Sequence, residues 1–147
     1  MTAEAKRRRR QKGRQTTEPF ASIPIHMLRH PKFLRLSPYA KALFLYWAGL
    51  YNGINNGDFS AANNRFREFG FRSPATLQKA KRALVEQGFA VMTRQGEKRR
   101  CSLYGLTIWP IDECGGKLDY PAEKRPSHAW KRMDAGCPIG KTARVSN

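Results

Sequence analysis

Acidic residues are scarce in this chain, which has 11 Asp and Glu against 28 Lys and Arg in 147 residues. The resulting formal net charge of +17 gives the surface a positive field that attracts polyanions, among which nucleic acid is the commonest. So few carboxylates are not typical of a two-metal nuclease, and no nucleophile paired with a base and no glycine-rich phosphate loop stands out. We therefore expect a nucleic-acid-binding protein rather than an enzyme.

Cysteine and long apolar runs are also scarce. Cys101, Cys114 and Cys137 are odd in number and widely spaced, which argues against a disulfide framework and a zinc site. His26 and His30 have a spacing that suits a metal, but no third ligand is apparent, so we expect neither metal nor cofactor. No apolar run approaches the roughly 20 residues that span a bilayer, and no apolar stretch follows the charged N-terminus. We therefore expect no membrane partner and no signal peptide.

Positive charge collects at both ends of the chain and in one central segment. Residues 1–17 hold seven cations against one Glu, residues 65–100 ten against three, and residues 115–147 seven against three. Because the first segment has no apolar pattern, we expect residues 1–19 to form a disordered arm that follows a phosphate backbone, although a targeting signal fits the same residues. The cations of this arm are Lys6, Arg7, Arg8, Arg9, Arg10, Lys12 and Arg14.

Apolar spacing predicts a long helix in the first half of the chain. Ser37 is a typical N-cap, and Pro38 is a typical first helical residue. Apolar residues then recur at intervals of three and four, so one broad face should be buried until Asn52–Gly57 ends the helix. That face consists of Ala40, Leu43, Phe44, Trp47 and Leu50. A short turn of helix is expected just before it, between two prolines.

A brief strand at 58–60 and a short helix at 61–69 are predicted next. Phe66 and Phe69 should face inward from this helix, and Gly70 should end it.

A second helix with a capped start is predicted to begin at Ser73 and Pro74 and to end at Gly88. Two strands joined by a polar turn should follow, at 89–94 and 103–109. The order of elements predicts a mainly α domain with a small β wing at 20–112. Residues 113–147 should form a basic, mostly irregular tail, with Trp130 packing back on the domain.

The predicted second helix has two faces with different roles. Leu77, Ala80 and Leu84 fall on one stripe, which should face the core, so the opposite stripe should be exposed. A helix fits the major groove of DNA, where Arg, Lys and Gln can bond base edges. The candidate base-reading residues are Ser73, Ala75, Gln78, Lys79 and Arg82. The candidate phosphate contacts, which include the turn between the two strands, are Arg65, Arg67, Arg72, Lys98, Arg99 and Arg100.

Three stretches carry a resemblance: SPYAKALFLYWAGLYNGINNGDFSAA, GFRSPATLQKAKRALVEQGFAVMTRQG and CSLYGLTIWPID. Together they resemble the winged helix-turn-helix proteins of bacterial phages, plasmids and other mobile elements. The shared pattern is a Leu-Ser helix start, a Ser-Pro-x-Thr-Leu recognition helix and a Leu-x-x-x-Gly-Phe turn into the wing, and it covers residues 20–112. The resemblance implies sequence-reading binding of double-stranded DNA, in a bacterial cytoplasm and at its nucleoid, by a transcriptional regulator of a mobile element.

Two other functions fit the same sequence. The first is an accessory protein of plasmid or phage replication initiation or partition, which would use the same domain. The second is an RNA-binding or ribosome-associated basic protein, which exposed aromatic residues would favour; here most aromatic residues fall at core positions. A homodimer on DNA also stays open, although no heptad repeat predicts one.

Deletion of residues 1–17 should flatten the dependence of duplex affinity on salt, because each phosphate that a cation neutralises adds about 0.9 to the slope of log K against log salt. Preference among DNA sequences should survive the deletion, since the predicted recognition helix remains. Fluorescence anisotropy titrations over a series of salt concentrations measure both quantities. An unchanged slope would show that the arm does not contact the backbone, and a lost preference would point to minor-groove reading by Arg7–Arg10.

Overall fold

A computed structural model describes residues 18–61 and 66–132 of the chain. Most of the predicted basic arm and the last fifteen residues lie outside these ranges, as do Arg65 and Cys137. The described helices are α1 (Ile25–Leu28), α2 (Pro31–Leu34), α3 (Pro38–Leu50) and α4 (Pro74–Glu86). The described strands are β1 (Phe59–Ser60), β2 (Ala90–Arg94) and β3 (Leu103–Leu106), and short 3-10 helices form at Cys114–Gly116 and Ala129–Lys131.

The two long helices begin where the sequence predicts, but only one has a side-chain cap. The Ser37 hydroxyl accepts a hydrogen bond from the Ala40 amide at 3.2 Å, which satisfies one of the unpaired amides at the start of α3. The predicted Ser73 cap is wrong in this respect, since its side chain makes no capping bond to α4. Pro74, the first residue of α4, has no amide hydrogen and so leaves one donor fewer to satisfy.

The described strands form one small antiparallel sheet in the order β1-β3-β2. The sequence predicts the β2–β3 ribbon, and the structure adds β1 to its edge, where Phe59 lies opposite Tyr104. The register slips between Met92 and Arg94, so Thr93 forms a bulge. The third strand ends at Leu106 rather than at the predicted residue 109, because the next three residues turn away from the ladder.

Edge-to-face aromatic contacts join the helices to the start of the sheet. The ring of Phe33 on α2 lies 5.6 Å from that of Phe44 on α3 and 5.5 Å from that of Phe89, which precedes β2. The predicted core residues Leu43, Leu77 and Leu84 are at most 1% exposed. The buried surface thus forms a single core between α3, α4 and the sheet.

Two residues predicted to face inward are exposed. Leu50 is 38% exposed, because α3 ends there and the chain leaves the core surface. Phe69 is 43% exposed, and its ring lies 5.0 Å from that of Tyr46 at the rim of the core. Phe66 is helical and buried as predicted, whereas residues 62–65 of the same predicted helix lie outside the described residues.

The chain after residue 112 packs on the domain, and we name residues 117–132 the strap. Its Trp130 is 1% exposed, and its indole stacks on the Phe89 ring at 6.1 Å. Backbone amides of Asp119 and His128 donate to the carbonyls of Thr93 and Thr107. The predicted packing of Trp130 is therefore confirmed, and the packed unit extends beyond the predicted boundary at residue 112.

A buried asparagine connects the loop after α3 to the sheet and to the chain beyond it. Asn56 is 0% exposed, and the two N–H bonds of its side-chain amide are shared among the carbonyls of Leu106, Trp109 and Pro110, whose oxygens lie 2.9–3.0 Å from Nδ2. Its side-chain carbonyl accepts from the Leu106 amide at 2.8 Å, and its backbone amide donates to the Asp112 carboxylate at 2.8 Å. One side chain thus satisfies several buried backbone groups where β3 ends.

Close backbone packing surrounds this asparagine. A Cβ atom on Gly105 would lie 2.5 Å from the Ile111 side chain and 3.0 Å from the Gly57 Cα. Gly57 itself has a φ of 117°, which other residues rarely adopt. The loop after α3 can therefore lie directly against β3 only because both positions are glycine.

Replacement of Asn56 by alanine should lower the free energy of unfolding by about 3–5 kcal/mol, because buried backbone groups that lose their partners cost roughly 1–3 kcal/mol each. Urea unfolding followed by tryptophan fluorescence measures this loss. Asn52→Ala is the matched control, since Asn52 is exposed and its side chain accepts one bond, from the Ile54 amide; it should cost less than about 1 kcal/mol. Equal costs for the two variants would contradict the central role of Asn56.

Candidate nucleic-acid interface

The exposed face of α4 carries the residues that the sequence selected. Leu77, Ala80 and Leu84 are buried against the core, as the 3.6-residue period requires. The opposite stripe is open to solvent and consists of Ala75, Gln78, Lys79, Arg82 and Glu86. The predicted division of this helix into two faces is confirmed.

The start of α4 brings further predicted residues beside that stripe. Arg72 is exposed and lies two residues before the first residue of the helix, next to the buried ring of Phe71. Ser73 is half-buried, and its hydroxyl makes no cap bond to the helix. Arg67 is exposed in the preceding turn, and nothing brings it into contact with α4; Arg65 lies outside the described residues.

The β2–β3 loop forms a tight, strongly basic tip. The backbones of Glu97 and Arg100 exchange two hydrogen bonds of 2.9 Å, so Lys98 and Arg99 are the two residues at the turn. All three predicted cations of this loop are exposed. Like charges at such spacing repel one another, and a polyanion in contact with the tip would relieve that repulsion.

Arg99 has an unfavourable backbone conformation at this tip. Its φ is 71°, in the left-handed region that costs a residue with a side chain roughly 1–2 kcal/mol relative to the right-handed region. Such strain clusters at functional positions. Glycine would adopt this conformation without the strain.

The base of the loop is rigidly constructed. The Gly96 amide donates to the Ser102 hydroxyl at 2.9 Å, and a Cβ on Gly96 would lie 2.7 Å from that same oxygen. The Arg94 guanidinium donates to the Cys101 carbonyl at 3.2 Å across the two strands. The tip is thereby held in a defined position relative to the sheet.

Lys81 on α4 was not selected from the sequence. It lies between the buried and exposed faces of the helix, and burial lowers the pKa of its ammonium, an effect that the charge of Cys101 partly offsets. The sequence did not predict the role of Arg94 either. The alternation of apolar and polar residues along β2 does not show that its side chain bonds to the opposite strand.

The two histidines that were considered as metal ligands lie beside an aromatic ring. The rings of His26 and His30 each lie 5.3 Å from the Trp130 ring. Cys101 and Cys114 are free thiols. Within residues 18–61 and 66–132, no group of three His, Cys, Asp or Glu side chains is placed to hold a metal ion.

Comparison of the chain with protein-family models, with curated proteins and with solved structures found no match. In the described part of the chain, no helix has the length and apolar character needed to cross a membrane. The interface is therefore interpreted from its own features, which are an exposed helix stripe, the exposed Arg72 before that helix and an exposed basic loop tip.

Arg99→Gly should raise the free energy of unfolding above that of Arg99→Ala by about 0.5–1 kcal/mol, because glycine relieves the left-handed strain at a smaller entropic cost. Both variants lose the same charge, so the difference between their free energies of unfolding reports the backbone strain alone. Urea unfolding measures it. Equal stabilities, or a less stable glycine variant, would show that Arg99 is not strained in solution.

Proposed function

We propose that this protein binds double-stranded DNA, with α4 in the major groove and the β2–β3 tip on the flanking phosphate backbone. The observation that carries the proposal is that the exposed stripe of α4, Arg72 and the β2–β3 tip all present cations to solvent. An α-helix has the diameter to enter the major groove, and a loop beside it contacts the backbone in winged helix-turn-helix proteins.

The chemistry of the α4 stripe suits base recognition. Arg82 and Lys79 can donate to the O6 and N7 acceptors of guanine, and Gln78 can pair with adenine through its donor and acceptor. Ala75 leaves room near the start of the helix for a close approach to the groove. These residues lie in the N-terminal two-thirds of α4, the part that reaches base edges in such domains.

The tip suits a different task. Among the described residues, no carboxylate lies within ion-pair distance of Lys98, Arg99 or Arg100. The ion pair of Lys117 and Asp58 does not include them. Their exposed charges can therefore neutralise phosphates. Backbone contacts of this kind provide affinity and orientation, whereas the α4 stripe supplies the choice of sequence.

The burial of the aromatic residues supports a duplex rather than single-stranded RNA as the ligand. Recognition of unpaired bases depends on exposed rings for stacking. The exposed aromatics among the described residues are Phe20, Tyr39 and Phe69, and none lies on α4 or on the β2–β3 loop. Regulation of transcription on a bacterial mobile element is the biological role that we propose, and it rests on the sequence resemblance alone.

Arg82→Ala should weaken binding to the preferred duplex by about 1–3 kcal/mol and relax the choice of base at one position. Arg100→Ala should weaken binding to all duplexes alike and lower the salt slope by about 0.9. The preferred duplex is first selected from a random pool, and anisotropy titrations then compare it with a scrambled duplex. Glu86→Ala is the control, because it alters the same stripe without removing a cation. A uniform loss for Arg82→Ala would assign this residue to the backbone and contradict base reading.

A further inference from the structure

Two acid-free segments of the chain meet at one end of the molecule. Residues 19–57 contain no Asp or Glu, and neither do residues 124–132, although the two segments lie far apart in the sequence. The cations of these segments are Arg29, Lys32, Arg35, Lys41, Lys124, Arg125, Lys131 and Arg132.

Several contacts bring the two segments together. The Lys32 ammonium donates to the Arg132 carbonyl at 2.7 Å, and the rings of His26 and His30 lie against Trp130. The Lys131 ammonium lies 5.4 Å from the centre of the Trp130 ring. The end of the strap is thus fixed against α1 and α2.

Four exposed cations surround this junction, and we name them the distal surface: Arg29, Arg35, Lys131 and Arg132. His26 and Lys32 contact the strap. Arg29 follows His26 by three residues, and Arg35 follows Lys32 by three residues. Residues three apart lie on about the same side of a helix, so both arginines lie on the side of the strap. Among the described residues, none of the four has a carboxylate at ion-pair distance.

The strap end of the distal surface lies at the C-terminal end of α4. A Cβ on Gly88 would touch the backbone of Ala129 at 2.8 Å, so the strap crosses the chain where α4 has ended and β2 has yet to begin. Along α4, at about 1.5 Å per helical residue, Arg82 is about 9 Å and the start of the helix about 20 Å from Gly88. The β2–β3 tip is about 30 Å from Gly88, at roughly 3.3 Å per strand residue. The strap cations are therefore nearer to the end of α4 than to its start or to the tip.

We propose that the distal surface binds the phosphate backbone of a second DNA duplex, so that one protein molecule bridges two DNA segments. This inference rests on the proposed function, because α4 and the tip hold the first duplex. Exposed Arg and Lys side chains that are not held in ion pairs can neutralise phosphates and gain the entropy of released counterions. A second copy of this chain is a poor occupant, since its own distal surface carries the same charge.

A two-colour bridging assay tests the proposal with full-length protein. One duplex is fixed to beads, a second labelled duplex is free, and the labelled DNA retained by the protein is measured. Lys131→Glu combined with Arg132→Glu should lower retention about tenfold, while affinity for a single short duplex changes much less. Arg29→Glu combined with Arg35→Glu alters the same surface from the α1 and α2 side, so it should give the same loss even if the first pair disturbs the strap.

Matched controls separate this proposal from its alternatives. Lys124→Glu combined with Arg125→Glu changes the net charge equally at two exposed residues outside the distal surface, and a loss of bridging as large as that of the distal variants would overturn the proposal. Retention that both distal pairs leave unchanged, or no bridging by the wild type, would also overturn it. Lys79→Ala combined with Arg82→Ala tests the first site separately, because it should weaken single-duplex binding; if it does not, the proposed function fails whatever the bridging result.

An anionic membrane is the other polyanion to test, because Ile25 and Leu34 are 65% and 60% exposed on α1 and α2. The probe is a vesicle of phosphatidylserine and phosphatidylcholine in the same buffer. Vesicle binding that both distal pairs abolish, while DNA bridging persists, would assign the surface to a membrane and overturn the proposal. The absence of vesicle binding by the wild type, together with bridging lost in both distal pairs, supports the DNA assignment.

Discussion

The side-chain amide of Asn56 is the interaction on which the arrangement of the sheet and its connections depends. It lies where β3 ends, and its donors and acceptor satisfy backbone groups of Leu106, Trp109 and Pro110 that have left the strand ladder. Buried backbone groups without partners are costly, so a residue with both a donor and an acceptor is needed at this point. An aspartate or a leucine of similar size lacks one or both.

The position of the basic tip follows from that constraint. Because β3 is fixed at its far end by Asn56, the β2–β3 hairpin can project its loop as a rigid extension of the core. The strap adds to this, since Asp119 pairs with Thr93 at the bulge and Trp130 covers Phe89 at the start of β2. Both strands of the hairpin are thus restrained near the core, and the cations at the tip have a defined direction relative to α4.

Exposed positive charge is spread over several elements of this frame. Exposed cations lie on the stripe of α4 and on the β2–β3 tip, and others lie on the distal surface at the end of the strap. With a net charge of +17, mutual repulsion favours such a spread over a single concentrated patch. The Lys32–Arg132 and Trp130 contacts nevertheless hold two acid-free segments together, because burial of a large aromatic surface outweighs repulsion between exposed, solvated cations.

The sequence by itself determined the local features: the starts of α3 and α4, the buried stripe of Leu77, Ala80 and Leu84, and the basic turn between two strands. Caps, helical period and strand alternation act over a few residues, so they can be read without a fold. Only the tertiary structure decided the rest. Contacts between distant segments decide the role of Asn56, the exposure of Leu50 and Phe69, and the meeting of the strap with α1 and α2. In the sequence, Asn56 is one asparagine among several in a turn, because nothing local shows which carbonyls the fold brings to it.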